Sequence, residues 1–311
     1  MTEHSLVAEP THSRWNRALP PRLEVSSGDT VHFQCVDASG GQIQRDSSLA
    51  DLLAIDRNRV HALTGPVFIR GAQPGDVLQI DVLETSHHGW GYSTIAEGLG
   101  FLKERFREPY LFQWELAGGE TRSLAPTVVP LRPFCGVMGV APPVDGEYRT
   151  RPPGAFGGNM DVRELCSGAK LYLPVFNPGA LFSCGDGHAA QGDGEVCING
   201  IECPLDVALR FHLHRGQSLS APLIESADPL NPHSGDAWIV VESDEDPLRA
   251  ARNATSRMID LLTSRWGLSE IHAYILCSVA MHLRLSQVVN EPMITVSAAF
   301  AKHILPERRL F

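Results

Sequence analysis

The chain has 311 residues, roughly twice a typical domain, and with 43% of them hydrophobic it can bury a large core. Its 28 glycines and 22 prolines favour a loop-rich β architecture over a helical one. A formal net charge of −10 without a basic cluster disfavours nucleic acid and anionic membranes as partners.

Residues 1–22 are polar and end in Pro20-Pro21, an extended entry segment with Trp15 packed on the body and His12 at the surface. The start MTEHSLVAEPTHSRW has no basic segment followed by an apolar one, and no apolar run reaches the ~20 residues of a spanning helix. The expectation is a cytoplasmic protein. Residues 23–36 alternate around Gly28-Asp29 and predict a β-hairpin. Leu49, Leu52 and Leu53 predict one short helix. Residues 67–69 and 77–83 predict strands joined by a Gln73-Pro74-Gly75-Asp76 turn. His61 falls in the loop before Thr64-Gly65-Pro66 and is a candidate site residue.

Residues 85–125 read as a long excursion carrying His87, His88, Trp90 and Tyr92, either a lid or an oligomer contact. Neighbours in an extended segment face opposite ways, so the two histidines make a poor chelating pair. Residues 127–140 predict strand, turn, strand, and the apolar run 171–182 reads as one strand. Residues 204–214 carry the cleanest alternation, with Leu205, Val207, Leu209, Phe211 and Leu213 on one face. His212 and His214 lie on the other, solvated face. A further strand follows at 236–242. Asp246-Pro247 opens a helix that Trp266-Gly267 stops, Ser269-Glu270 opens a second, and 293–305 close the chain as a strand and tail. The fold class is mainly β, with a jelly-roll or barrel-like core over 1–240 that carries the site. Residues 241–311 form a smaller α+β part intertwined with it.

Chemistry concentrates between residues 157 and 202, where acids and glycines interleave. Asp186 and His188, two apart, point the same way on an extended backbone, and Gly185 and Gly187 let the chain pass close to an ion. That O/N mixture suits a dication such as Zn²⁺. Asp161, from an earlier glycine-flanked loop, supplies a third ligand, and three ligands leave the open positions of a catalytic site. The same D-x-H spacing also arises by chance in many proteins. Glu195 leaves Gly192-Asp193-Gly194 and enters a strand through Val196 and Ile198, as a general base or as a turn acid. Asp193 reads as a turn acid. Glu202 reads as an orienting residue for His188 or Lys170. Seven cysteines without a CxxC pair favour reduced thiols. Cys184 and Cys166 are candidate nucleophiles without a visible third partner. No G-x-S-x-G elbow, Rossmann fingerprint or Walker A motif is present.

Several longer motifs resemble the acetamidase/formamidase family: RVHALTGPV at 59–67, GAQPGDVL at 71–78, GVMGVAP at 136–142, PPGAFGGNMD at 152–161, YLPV at 172–175, GDGHAAQGDGEV at 185–196 and LRLSQVV at 283–289. The resemblance implies hydrolysis of a formamide- or acetamide-like amide to ammonia and a carboxylate. It also implies a β-rich fold with a smaller α+β C-terminal part, and a divalent metal, zinc. Carried onto matching positions, Asp161, Asp186 and His188 hold the metal and Glu195 is the acid/base. Asn159 and His61 meet the substrate. The chain departs from the family pattern at Gly187, where alanine is usual, and at Asn16, where aspartate is common. It departs again at His282 and Asn290, where acids are expected, which argues against a role for that late segment. A metal-stabilised binding protein and a cysteine amidase are the rival readings. The implied partners are a small amide and further copies of the chain in a homo-oligomer, with no nucleic acid and no membrane.

Overall fold

The computed structural model describes residues 1–227 and 236–307. The alternating segments assemble into two sheets that face each other across a shared core. The larger has nine strands, in the order Glu3–Leu6, Thr30–Cys35, Leu205–His214, Val77–His87, Lys170–Pro174, Leu223–Ala227, Asp236–Asp244, Ile294–Ala301, Met281–Gln287. The smaller has five, in the order Gly157–Asn159, Phe134–Gly139, Phe182–His188, Leu63–Ile69, Leu23–Val25. Among the described residues α-helix is confined to Leu49–Leu53, Pro247–Trp266 and Glu270–Ala280, so the mainly β expectation is met. Among the described residues no helix is long and apolar enough to cross a membrane.

Phe33 and Phe211 from the large sheet meet Phe182 from the small one edge to face. Their ring centroids are 6.1 Å (Phe33 to Phe182), 5.2 Å (Phe182 to Phe211) and 6.4 Å (Phe33 to Phe211) apart. The strand Leu205–His214 forms where its alternation predicts, with Leu205, Leu209 and Phe211 buried in this core. His87 and His88 take separate partners, the Gly118 carbonyl and Asp206.

Two expectations change. Residues 23–36 do not form a hairpin. Leu23–Val25 pairs with Leu63–Ile69 in the small sheet, whereas Thr30–Cys35 pairs with Leu205–His214 in the large one. Val25 and Val31 reach the same core from opposite sheets. Alternation reports which side of a strand is buried, not which strand lies beside it. Residues 171–182 are not one strand either. Lys170–Pro174 belongs to the large sheet, and the chain then crosses to the small one. Gly179, Ala180 and Leu181 take positive φ before Phe182–His188 begins. The run is mostly apolar because both strands and most of the crossing are buried, Pro178 excepted.

At the C-terminal end Asp246 caps the long helix by accepting from the backbone N–H of Leu248, Pro247 follows it, and Gly267 closes the helix at φ 71°. Ala254, Met258 and Leu262 seat this helix against Val240, Ala298 and Phe300. Met281–Gln287 then ends the large sheet, and its last residues reach the loop before Glu195. The Gly194 N–H donates to the Ser286 carbonyl at 3.1 Å, and the Val288 N–H to the Gly194 carbonyl at 3.0 Å.

Phe33→Ala should cost about 3–5 kcal/mol in chemical denaturation, because the other two rings cannot both close over the void. A loss below about 1 kcal/mol would contradict a core centred on this triad.

Candidate active site

The strand Phe182–His188 lies between Phe134–Gly139 and Leu63–Ile69. Its glycines are there for close approach. A Cβ at Gly185 would lie 2.6 Å from the Ala62 carbonyl, and one at Gly187 would meet the Cys203 carbonyl and lie 2.6 Å from Leu205 Cγ. Opposite them, Gly136 leaves a hollow. A Cβ there would press on Asp161 Oδ1, lie 2.6 Å from Asp186 Oδ2 and 3.1 Å from His188 Cε1. Asp161, Asp186 and Glu195 have φ of 50°, 58° and 48°. Such strained backbone persists only where surrounding structure over-determines it, and it clusters at functional sites.

Around His188 Nε2 stand Glu202 Oε1 at 2.9 Å, Asp186 Oδ1 at 3.6 Å and Glu195 Oε1 at 3.9 Å. Asp161 Oδ1 is 3.8 Å from Nδ1, and Nδ1 hydrogen-bonds Gln191 Oε1 at 2.8 Å. All five ionisable groups are at most 6% exposed. Burial first, and then their neighbours' charges, shift their protonation. Burial pushes Asp161 up to about 7 and Glu202 up to about 8, against the pull of His188 in both cases. Burial and then Asp161 drive Glu195 well above the usual carboxylate range. Burial also opposes ionisation of Asp186, but His61 and His188 hold it down to about 2. Burial disfavours the His188 imidazolium, yet Glu202 and Asp186 raise its pKa well above normal.

One oxygen on each of Asp161, Glu195 and Glu202 is buried without a hydrogen-bond partner. Orphaned carboxylate oxygens are costly, and a dication both coordinates them and restores their ionised forms. Asp161, Asp186 and His188 form one group whose ligand atoms lie within 4.8 Å of one another, and His188, Glu195 and Glu202 form another. Oxygen donors with one imidazole fit a hard or borderline divalent cation.

The structure thus brings together Asp161, Asp186, His188 and Glu195. Glu195 does not enter a strand; it sits in a turn that runs through Val196 and Ile198. Glu202 contacts His188, while Lys170 pairs with Glu225. Asp193 pairs with Arg163 at 3.1 Å and lies 3.7 Å from Arg284, bracing the Glu195 turn.

The late segment does reach the site, against expectation. Asn290 Nδ2 donates to Asp161 Oδ2 at 2.5 Å, and Gln287 Oε1 accepts from the Asn290 N–H at 2.8 Å. An amide at 290 can donate to Asp161, which an ionised acid there could not. Gln191 was also missed. It ties His188 to the Asp161 carbonyl, to which its Nε2 donates at 2.9 Å. Its only signal was its place inside the 185–196 motif.

Asn159 and His61 line a cavity of about 300 Å³ that opens from the acid cluster. Asn159 Oδ1 and His61 Nδ1 have no hydrogen-bond partner. Tyr92 and Leu99 from the excursion also line it, so that segment walls the cavity. No cysteine lines it. Cys184 instead lies against Cys35 in the core, sulfur to sulfur at 3.9 Å.

The model of the Acetamidase/Formamidase family matches residues 2–147 and 145–306. The chain belongs to this family. A predicted acetamidase/formamidase of Thermoanaerobacter tengcongensis has a solved structure with TM-score 0.90 and 31% identity, covering 98% of this chain and 97% of that one. An acetamidase of Bacillus halodurans superposes with TM-score 0.89 at 34% identity, covering 96% and 98%. A γ-lactamase of Delftia acidovorans does so with TM-score 0.69 at 25% identity, covering 98% and 94%. This family member is therefore an amidase of non-peptide carbon–nitrogen bonds.

Gly136→Ala should place a methyl group between Asp161 and Asp186 and lower kcat/KM for amide cleavage on the order of 100-fold. Ammonia release by the folded variant measures this. Activity within about twofold of the parent enzyme would contradict the close approach.

Proposed function

We propose that the chain hydrolyses small primary amides to ammonia and a carboxylate, using a divalent cation, zinc, held by Asp161, Asp186 and His188, with Glu195 as acid/base. One observation carries the reading: four buried carboxylates crowd one imidazole at the inner end of the cavity, with three of their oxygens unpartnered. Bound there, the cation would polarise the amide carbonyl and acidify water. The family supports the amide. The acetamidase among its relatives supports a short linear amide as the substrate.

The chain's own groups divide the remaining work. Asn159 Oδ1, unpartnered at the cavity wall, accepts an N–H of the substrate amide. His61, whose charged form burial disfavours, offers a neutral ring N–H to the carbonyl oxygen. Glu195 takes a proton from water as the new C–O bond forms, then delivers it to nitrogen as the C–N bond breaks. Ammonia leaves and the acyl carbon keeps the new oxygen. Gln191 Oε1, accepting from the Nδ1 side, fixes the orientation of His188 and leaves Nε2, beside Glu202 and Asp186, for the cation.

The cysteine reading loses support, because a thiol nucleophile must reach substrate and the cavity lining contains none. Glu195→Gln should reduce kcat by about 10²–10⁴-fold on every amide the parent enzyme cleaves. Chelation should abolish ammonia release, Zn²⁺ should restore it, and thiol alkylation should leave it intact. Near-normal turnover by Glu195→Gln, or activity indifferent to chelation, would overturn the mechanism.

A further inference from the structure

The cavity is larger than formamide or acetamide needs. At about 300 Å³ it has roughly three times the room of a three- or four-heavy-atom amide, taking ~30 Å³ per water-sized group. Its lining also changes character from buried to exposed. The innermost residues are the acids. Ile43 and Leu52, both buried, and the partly exposed Ile198 supply an apolar wall. The outer lining carries Arg14, Arg57, Arg149 and Arg151, of which Arg57 and Arg149 are exposed.

These four arginines differ from most others in the chain. Among the described residues none of them has a carboxylate partner, whereas nine arginines elsewhere are ion-paired. Arg14 donates to the Ser13 carbonyl and to Asn58, and Arg151 to the Val289 carbonyl, all neutral acceptors. The one acid among the outer lining residues is Glu97, which has no ion-pair partner among the described residues either. In a protein of net charge −10, four guanidinium groups outside any close ion pair, with Arg151 near Glu291 and Glu195, give one opening a local positive field. Guanidinium groups recognise carboxylates through paired, charge-assisted hydrogen bonds.

We infer that the preferred substrates are anionic amides, half-amides of dicarboxylic acids, with a carboxamide at one end, a carboxylate at the other and a short apolar chain between. This rests on the amidase reading above and assigns the outer part of the same cavity. The carboxamide enters first, because the buried acids repel the carboxylate. The methylene chain lies along Ile43, Leu52 and Ile198, and the carboxylate stays at Arg57, Arg149 and Arg151. Water adds to the carboxamide carbon, the C–N bond breaks, and the products are the dicarboxylate and ammonium.

The test compares kcat/KM for succinamate, glutaramate and adipamate with those for neutral amides of equal chain length, at low and high salt. At least one half-amide should exceed its neutral counterpart by roughly tenfold or more, and the advantage should shrink with salt. Arg57→Glu and Arg149→Glu should each lower that ratio. Equal or better turnover of the neutral amides, or a ratio unmoved by both substitutions, overturns the inference while leaving the amidase reading intact. Turnover of no amide at all would count against the amidase reading. Calorimetry with hexanoate, whose single carboxylate is the group meant for the arginines and whose other end is uncharged, then decides the outer site separately. Binding weakened by Arg57→Glu and Arg149→Glu sustains it, and absence of binding overturns it.

Discussion

Like charges held apart from water are the constraint that the rest of this structure serves. Four carboxylates and a single imidazole occupy one nearly closed space, and in a medium of low dielectric their mutual repulsion is large. Without a compensating cation the cluster relieves itself by holding protons, as the raised values of Asp161, Glu202 and Glu195 describe. Only Asp186, between His61 and His188, stays comfortably ionised. A protein keeps such an arrangement when a ligand of opposite charge repays it, and three orphaned carboxylate oxygens mark where that ligand's bonds would go.

The fold explains how so many acids can be held so closely. Each comes from a different piece of backbone fixed by sheet pairing: Asp161 just past Gly157–Asn159, Asp186 within Phe182–His188, Glu195 on a turn pinned to Ser286, and Glu202 bridged to Tyr92. Strand Phe134–Gly139 contributes mainly an absence, the missing side chain of Gly136. The C-terminal part does more than cap the large sheet. Through Gly194 and Asn290 it grips both loops that carry the acids. Helix packing at the far end of the chain is thereby connected to the geometry of the site.

Much of this was legible in the sequence, for reasons that can be named. Asp186 and His188 share a face because a strand has a period of two, and the flanking glycines announced a close approach. The two long helices were visible from Asp246-Pro247, Gly267 and Ser269, since capping is local chemistry. What failed was non-local. The alternation of residues 23–36 and the apolar run at 171–182 report burial but not the sheet to which each segment belongs. Asn290 lies 129 residues from Asp161, and its substitution for an expected acid hid a donor suited to that carboxylate. The rim arginines were invisible for a similar reason: positions 14, 57, 149 and 151 form no charge run and meet only in the fold.

The resulting cavity has two poles of opposite charge separated by apolar wall, so it can orient a substrate before any chemistry begins. All of that presupposes a cation at the inner pole. Anomalous diffraction at the zinc edge, from crystals of the protein supplied with Zn²⁺, tests this most directly. The account predicts one strong peak at ~2.0–2.2 Å from a His188 ring nitrogen and from oxygens of Asp161 and Asp186. A fully ordered site without a peak among these side chains, or a peak only at Cys35, Cys135 and Cys184, would contradict it.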